Sequence, residues 1–412
     1  MRSRRPPWWP WLGWAALAAG FYLVNIQRLS TAVLSEAFTA AFVLSAAQLG
    51  TLHAAFFAVY AVLQLPTGIV VDRYGSRLTA SVGMLTVAAG SLVMATAGGF
   101  TVAIIARLLI GAGASVIFIA ILRYAASWFP PQRFATVTGM TAGVAGLGAI
   151  SAATPLAVLV GTVGVTRSFE FAAVGAVTVA VAIWVLVRRG TAETPDRPVD
   201  VVGIRAQLRT LVGDPEQWLL SLVFFAGNGT TVTIMGLWGV PYLVAVYGLS
   251  VADASVYTLI GSVGILIGGP TLGWLSDRLG MRLRPMIVGL ALTASALAVI
   301  PLLGQPPLWA IAAVYAVVGA SIGVSLLSMT AIKERYPPSA AGVATAAVNT
   351  WGFVGATVLP VAMGIAVDRY RTGAIVGGSV VYTPMGYRIA FAIAAGVVAL
   401  AALAAMGVAR RA

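Results

Sequence analysis

Gly68-Ile69-Val70-Val71-Asp72-Arg73-Tyr74-Gly75-Ser76-Arg77 returns in altered form as Gly273-Trp274-Leu275-Ser276-Asp277-Arg278-Leu279-Gly280-Met281-Arg282, at an offset of 205 residues. Each copy closes a long apolar run. A second pair keeps almost the same spacing: Phe129-Pro130-Pro131 and Tyr336-Pro337-Pro338 are 207 residues apart and also follow apolar runs. One repeated turn could be chance, whereas two at matching offsets describe a chain of two related halves. The apolar runs predict helices at about 11–35, 47–70, 77–97, 100–124, 134–160 and 168–188, then at about 216–245, 252–275, 285–303, 308–331, 340–366 and 387–409.

Composition agrees. Of the 412 residues 60% are apolar and 9% charged, a balance that places a chain of this length in lipid. The net charge of +13 does not describe a nucleic-acid surface, because the cations stand in short clusters between apolar runs. With both termini and the central linker on one side, nineteen of the 25 basic residues fall there, among them Arg73, Arg77, Arg123, Arg133, Arg278 and Arg282. Arg167, Arg369, Arg371 and Arg388 fall opposite. The positive-inside rule makes the crowded side cytoplasmic; the membrane expected is a prokaryotic plasma membrane. The basic start and the tryptophans Trp8, Trp9, Trp11 and Trp14 resemble a secretory signal, but the apolar stretch is too long and is kept as the first helix. Zero cysteines and one histidine exclude disulfides, thiol catalysis and multi-histidine metal centres. No cofactor or metal is expected, and no nucleophile or carboxylate pair at helical spacing suggests an enzyme.

In the repeated turn, glycine permits two helices to approach closely. The acid can face the positive N-terminus of a neighbouring helix or pair with an arginine, worth about 0.3 to 1 kcal/mol where exposed and up to about 2 when partly buried. Gly68, Asp72, Arg73, Gly75, Arg77, Gly273, Asp277, Arg278, Gly280 and Arg282 are therefore the gating candidates. This arrangement resembles the signature of the major facilitator superfamily between its second and third helices, with a degenerate copy between the eighth and ninth. Arg107-Leu108-Leu109-Ile110-Gly111-Ala112-Gly113 resembles a further pattern of that family. The resemblance implies an all-helical membrane protein of twelve spans in two pseudo-symmetric six-helix bundles, exchanging between outward-open and inward-open states. It also implies that Asp72 helps to latch the cytoplasmic side. Gly364-Ile365-Ala366-Val367-Asp368-Arg369-Tyr370 copies the start of the motif, but parity puts it on the outer face and it lacks the following glycine; it reads as a helix terminus.

The first helix carries Asn25, Gln27 and Arg28 inside an apolar run, and a charge at that depth is a functional hypothesis by default. At 1.5 Å per residue Arg28, His53 and Arg107 each lie roughly 9 to 11 Å inside, so they could form one cationic patch for a carboxylate or phosphate. The alternative is that Arg28 caps carbonyls or pairs with Glu36. Arg107 is as often structural as functional, and His53 more often packs than carries protons. No Asp or Glu lies deep in a predicted helix; Glu36, Glu170 and Asp253 are near ends. That argues against a cation or cationic-drug antiporter.

The second half offers Asn228, Asn349 and Tyr315, the last aligned with Arg107. Trp238 and Tyr242 are further neutral candidates, Trp238 equally an interfacial anchor. Tyr60 and Gln64 stand in a Tyr-x-x-x-Gln-x-Pro-x-Gly run resembling permeases for organic anions and sugar phosphates. The nitrate branch of the family implies an arginine in each half. The eighth helix lacks one, although the fifth is glycine-rich at Gly139, Gly143, Gly146 and Gly148. The sequence therefore reads as a secondary transporter of a small organic anion, with nitrate or a neutral solute or drug as alternatives and a non-transporting membrane sensor as the reading from another class. The partners expected are the solute, a coupling proton or other ion, and the lipid bilayer; the chain is expected to be a monomer. The domain boundaries expected are 1–190, a linker at 191–215, and 216–412.

Overall fold

The computed structural model describes residues 8–188, 210–376 and 379–409. Most of the expected linker and the extreme termini lie outside them. α1 runs Trp9–Leu29 and, after a 51° bend at Ser30, Thr31–Phe42. Residues 46–95 form two helices, α2 (46–74) and α3 (76–95), separated at Gly75, where φ is +79°. Only glycine takes that angle without a steric penalty. The central glycine of the motif thus reverses the chain.

α4 is Phe100–Ser115 continued by Ile117–Trp128, α5 is Pro131–Ser151 continued through 154–163, and α6 covers 165–186 after a second reversal at Gly164, φ +84°. The second set begins with α7, made of Pro215–Thr233, a π-helical turn Ile234–Trp238, and Gly239–Tyr247. α8 (Val251–Leu279), α9 (Leu283–Leu303), α10 (Leu308–Ala320 and Ile322–Arg335) and α11 (Pro338–Asp368) follow. A hairpin of β1 (Arg371–Val376) and β2 (Ser379–Tyr382) precedes α12 (Pro384–Ala409).

Eleven of the described helices are long and apolar enough to cross a membrane, and the bent α1 brings the number to twelve. Every span expected from the apolar runs has its counterpart. Two local features were not expected: α1 extends past residue 35 to Phe42, and the chain between α11 and α12 forms a hairpin. Prolines open α5, α7, α11 and α12 at the first helical positions, where a missing N–H costs nothing.

The two sides of the molecule differ. We call the side of the Gly75 and Gly280 reversals the turn side and the opposite one the far side. On the far side the halves touch through glycine: a Cβ at Gly50 of α2 would lie 2.5 Å from the Pro360 carbonyl oxygen of α11, and one at Gly364 would lie 2.4 Å from that of Ala46. Gly146 of α5 would meet Leu266 of α8 at 2.5 Å. Nearer the turn side a Cβ at Gly68, Gly139, Gly143, Gly273 or Gly342 would meet nothing within 4 Å.

The polar contacts between the halves have the same bias. Ser262 donates to the Ala149 carbonyl at 3.2 Å, Ser255 to the Thr154 hydroxyl at 3.2 Å, and the backbone amides of Ala46 and Ala47 donate to Asp368 at 2.9 and 3.0 Å. Those glycine contacts and hydrogen bonds make this state closed on the far side.

Candidate functional site

The bend in α1 starts the site. A helix that breaks at Ser30 leaves the carbonyl of Gln27 without its regular partner, and two groups take it up. Ser30 donates its hydroxyl at 3.0 Å and Arg107 of α4 donates Nη1 at 2.9 Å. The Gln27 side chain turns away and donates to Ser91 of α3 at 3.0 Å. Arg107 is 1% exposed and lies against the ring of Phe56, its guanidinium carbon 5.1 Å from the centroid. It braces the break from behind.

Arg28, one residue along, points the other way, toward the seam between the halves. It is only partly buried, and its guanidinium carbon stands 5.5 Å from the ring centroids of both Phe57 of α2 and Phe353 of α11. The cation is thus braced by one aromatic from each half. Its Nη2 makes a long contact of 3.4 Å to the Asn228 side-chain oxygen on α7, while Asn228 donates to the Gly352 carbonyl at 3.0 Å. Among the described residues Arg28 pairs with no carboxylate, Glu36 included.

His53 is fully buried beside Phe57, ring centroids 5.0 Å apart, and neither ring nitrogen has a hydrogen-bond partner among the described residues. It packs against the π-helical turn of α7, where a Cβ at Gly236 would lie 2.8 Å from its Cε1. Tyr60 stacks on Phe353 at 4.3 Å. Arg28, His53, Phe57, Tyr60, Asn228 and Phe353 therefore form one group on α1, α2, α7 and α11.

Other sequence candidates lie elsewhere. Tyr315 is buried in the second half and donates its hydroxyl to the Gly239 carbonyl at 2.7 Å, so the position aligned with Arg107 fastens α10 to α7. Trp238 is 1% exposed and donates to the Pro360 carbonyl at 3.1 Å, which rules out an interfacial anchor. Tyr242 belongs to a cluster with Tyr247, Tyr387 and Phe391. Asn25 bonds back to the Phe21 carbonyl at 2.8 Å. Gln64 and Asn349 are half-buried and make no side-chain hydrogen bond to the group among the described residues.

Sequence reading missed Phe57 and Phe353. A signal for the first was present: His53, Phe57, Tyr60 and Gln64 follow the i, i+4, i+7, i+11 spacing of one helix face. Phe353 had none, because which face of α11 meets α2 is a tertiary fact.

The turn-side motif is also in place. Asp72 pairs with Arg123 of α4 within its own half. Arg77 lies over Trp184 of α6, 4.2 Å from the ring centroid, and Arg73 lies over Tyr74 at 5.6 Å. In the second copy Gly280 ends α8 at φ +61°, and Arg282 bonds Asp277 at 2.5 Å and Glu334 of α10 at 2.7 and 3.1 Å. Arg278 lies over Trp274 at 5.3 Å. The partners Arg123 and Glu334 are additions, since the sequence marks Arg123 only as a topology cation.

Twelve spans among the described residues, two glycine-centred turns and a partly buried cation at the seam describe a polytopic membrane protein. The chain matches the family model described as Major Facilitator Superfamily over residues 13–360, and it belongs to that family. Among curated proteins it is 31% identical to the hexuronate transporter of Bacillus subtilis over 240 residues, which is 55% of this chain and 56% of that protein. The alignment thus spans little more than half of that relative. It is 27% identical to a probable nitrate/nitrite transporter of Mycobacterium tuberculosis over 78% of this chain and 80% of the other. It is 25% identical to a putative tartrate transporter of Agrobacterium vitis over 74% and 73%. Among solved structures, a bacterial homolog of the human lysosomal transporter Spinster in an inward-facing, unoccupied conformation superposes with a TM-score of 0.80 at 17% identity, covering 98% of this chain and 97% of that one.

Proposed function

We propose that this major facilitator transporter carries a small organic anion, bound through a carboxylate, across the bacterial cell membrane by alternating access. The observation that carries the reading is Arg28: a guanidinium at the seam, gripped by one ring from each half, with no carboxylate pairing with it among the described residues. Such a group presents parallel donors to a carboxylate and loses little by holding them in place. Asn228 and Tyr60 supply neutral hydrogen-bonding groups from either half. Contacts from both halves to one ligand are what alternating access requires, since the ligand must be handed between two arrangements of the same walls. Arg107 and His53 serve as the inner wall, Arg107 by holding the bend that aims Arg28.

The names of the hexuronate and tartrate relatives support an organic acid, and the nitrate/nitrite relative supports the competing reading. A thermal-shift screen of purified protein against D-glucuronate, D-galacturonate, tartrate, sulfoacetate, nitrate, glucose and neutral amino acids separates them. At least one carboxylate should raise the melting temperature in a concentration-dependent way. A shift with nitrate and none with any carboxylate would overturn the proposal.

The same reading takes residues 1–190 and 216–412 as the two moving halves and places the turn side in the cytoplasm. The chain has no cysteine, so single cysteines report cleanly. Cysteine at Leu303 on the far side should react with an impermeant maleimide on intact cells, while cysteine at Met281 on the turn side should react only after permeabilisation; the reverse pattern inverts the topology.

A further inference from the structure

The motif-like run at the end of α11 carries more than a helix terminus. Gly364-Ile365-Ala366-Val367-Asp368-Arg369-Tyr370 repeats Gly68-Ile69-Val70-Val71-Asp72-Arg73-Tyr74 with one change, valine to alanine. The two runs end partner helices at opposite faces: Asp72 lies at the turn-side end of α2, Asp368 at the far-side end of α11. α2 and α11 pack along each other across the seam.

At the far side the first turn of α2 presents backbone N–H groups that its own helix cannot bond. Gln48 N is taken by the Ser45 hydroxyl at 3.2 Å in a capping box. The other two go to the opposite half. Ala46 N donates to Asp368 Oδ1 at 2.9 Å and to the Tyr382 hydroxyl at 2.8 Å, and Ala47 N donates to Asp368 Oδ2 at 3.0 Å.

The carboxylate is held in turn. Tyr382 donates its hydroxyl to Asp368 Oδ1 at 2.9 Å and Arg371 approaches the same oxygen at 3.3 Å, both delivered by the β1–β2 hairpin, in which Arg371 pairs with Tyr382. The Asp368 side chain is only 17% exposed. The glycine contacts of Gly50 with Pro360 and Gly364 with Ala46 bring the two helices close enough for this. For Ala46 and Ala47 every acceptor belongs to the second half and the capped amide to the first.

We infer that Asp368, positioned by Tyr382, is a far-side latch that holds the two halves together in the state seen here and must let go of the α2 N-terminus when that side opens. The Asp72 motif would serve the turn side; Asp368 serves the far side on the same helix pair. Charge on a helix N-terminus and two charge-assisted amide bonds are lost together on opening. This inference concerns the gate and does not depend on which solute is carried.

The test uses the full-length protein in nanodiscs without added solute, with spin labels on cysteines replacing exposed Val43 in the first half and Leu303 in the second, both on the far side. Double electron–electron resonance then reads the distance between halves. Asp368→Asn should move population toward the longer far-side distance, changing the closed-to-open ratio on the order of five- to thirty-fold. Tyr382→Phe should shift it the same way by less. Distances in folded Asp368→Asn protein that match the parent would overturn the latch. Should Asp368→Asn fail to fold, Tyr382→Phe decides: an unchanged distribution there rejects the inference equally.

Discussion

Arg28→Gln should abolish measurable binding of the anion that stabilises the parent protein, while the variant still inserts and melts within a few degrees of it. Removing a charge-assisted hydrogen bond costs about 1.5 to 3 kcal/mol, or roughly ten- to a hundred-fold in affinity. Arg28 is partly exposed at the seam and pairs with no acid among the described residues, so its removal orphans none of their carboxylates. Arg28→Lys should also bind markedly less well. An ammonium cannot make the paired donors of a guanidinium and lacks its flat face for Phe57 and Phe353. A purely structural Arg28 gives the opposite pattern, with lower yield and melting temperature and unchanged affinity in the protein that survives. Arg107→Gln is the internal contrast. That residue is buried on the Gln27 carbonyl, so its loss should lower the melting temperature first and affinity only through the aim of Arg28. Unaltered affinity in well-folded Arg28→Gln protein removes Arg28 from the site.

How much of this was legible in the sequence depended on whether the signal was local or tertiary. Spans declare themselves by length and apolarity, because a bilayer tolerates no unpaired backbone and leaves the helix as the local solution. The turns were legible as turns from the duplicated motif, but the motif glycines read as allowing close approach, whereas Gly75 and Gly280 take left-handed angles and a Cβ at Gly68 or Gly273 would meet nothing within 4 Å. Arg28 stood out because a charge in an apolar run is costly. What the sequence hid was direction. Arg28 and Arg107 looked like equals at the same depth, yet Arg28 lies at the seam between Phe57 and Phe353 while Arg107 is buried on the Gln27 carbonyl. Tyr315 aligned with Arg107 by offset but serves the packing of α10 on α7. Asp368 was set aside because it lacked a glycine and fell on the wrong face, and its partners, two backbone amides some 320 residues away, leave no trace in side-chain identity.

Asp72→Asn should cut the initial rate of solute exchange in proteoliposomes by on the order of ten-fold, with little change in melting temperature, and Asp277→Asn should do clearly less. The small stability effect follows from exposure: the Asp72 side chain is 67% exposed, and an ion pair so placed contributes about 0 to 1 kcal/mol. The rate effect arises in the other state. With the far side closed, Asp72 is occupied by Arg123 inside its own half, and the family resemblance has it latch the turn side when the far side opens. Losing a carboxylate that faces a helix N-terminus removes up to about 2 kcal/mol from that state, and each 1.36 kcal/mol is a factor of ten in rate where that state limits the cycle. Asp277 differs because Arg282 holds Glu334 as well, through bonds of 2.7 and 3.1 Å, so the second turn keeps an acid when Asp277 is neutralised. Pairing Asp277→Asn with Glu334→Gln should therefore expose the loss that the single change conceals. Arg123→Gln separates the two roles of Asp72, since it breaks the pair within the half and leaves the carboxylate free to latch; it should keep most of the rate that Asp72→Asn loses. Equal and negligible effects at Asp72 and Asp277 in well-inserted protein would remove the gating role from both turns.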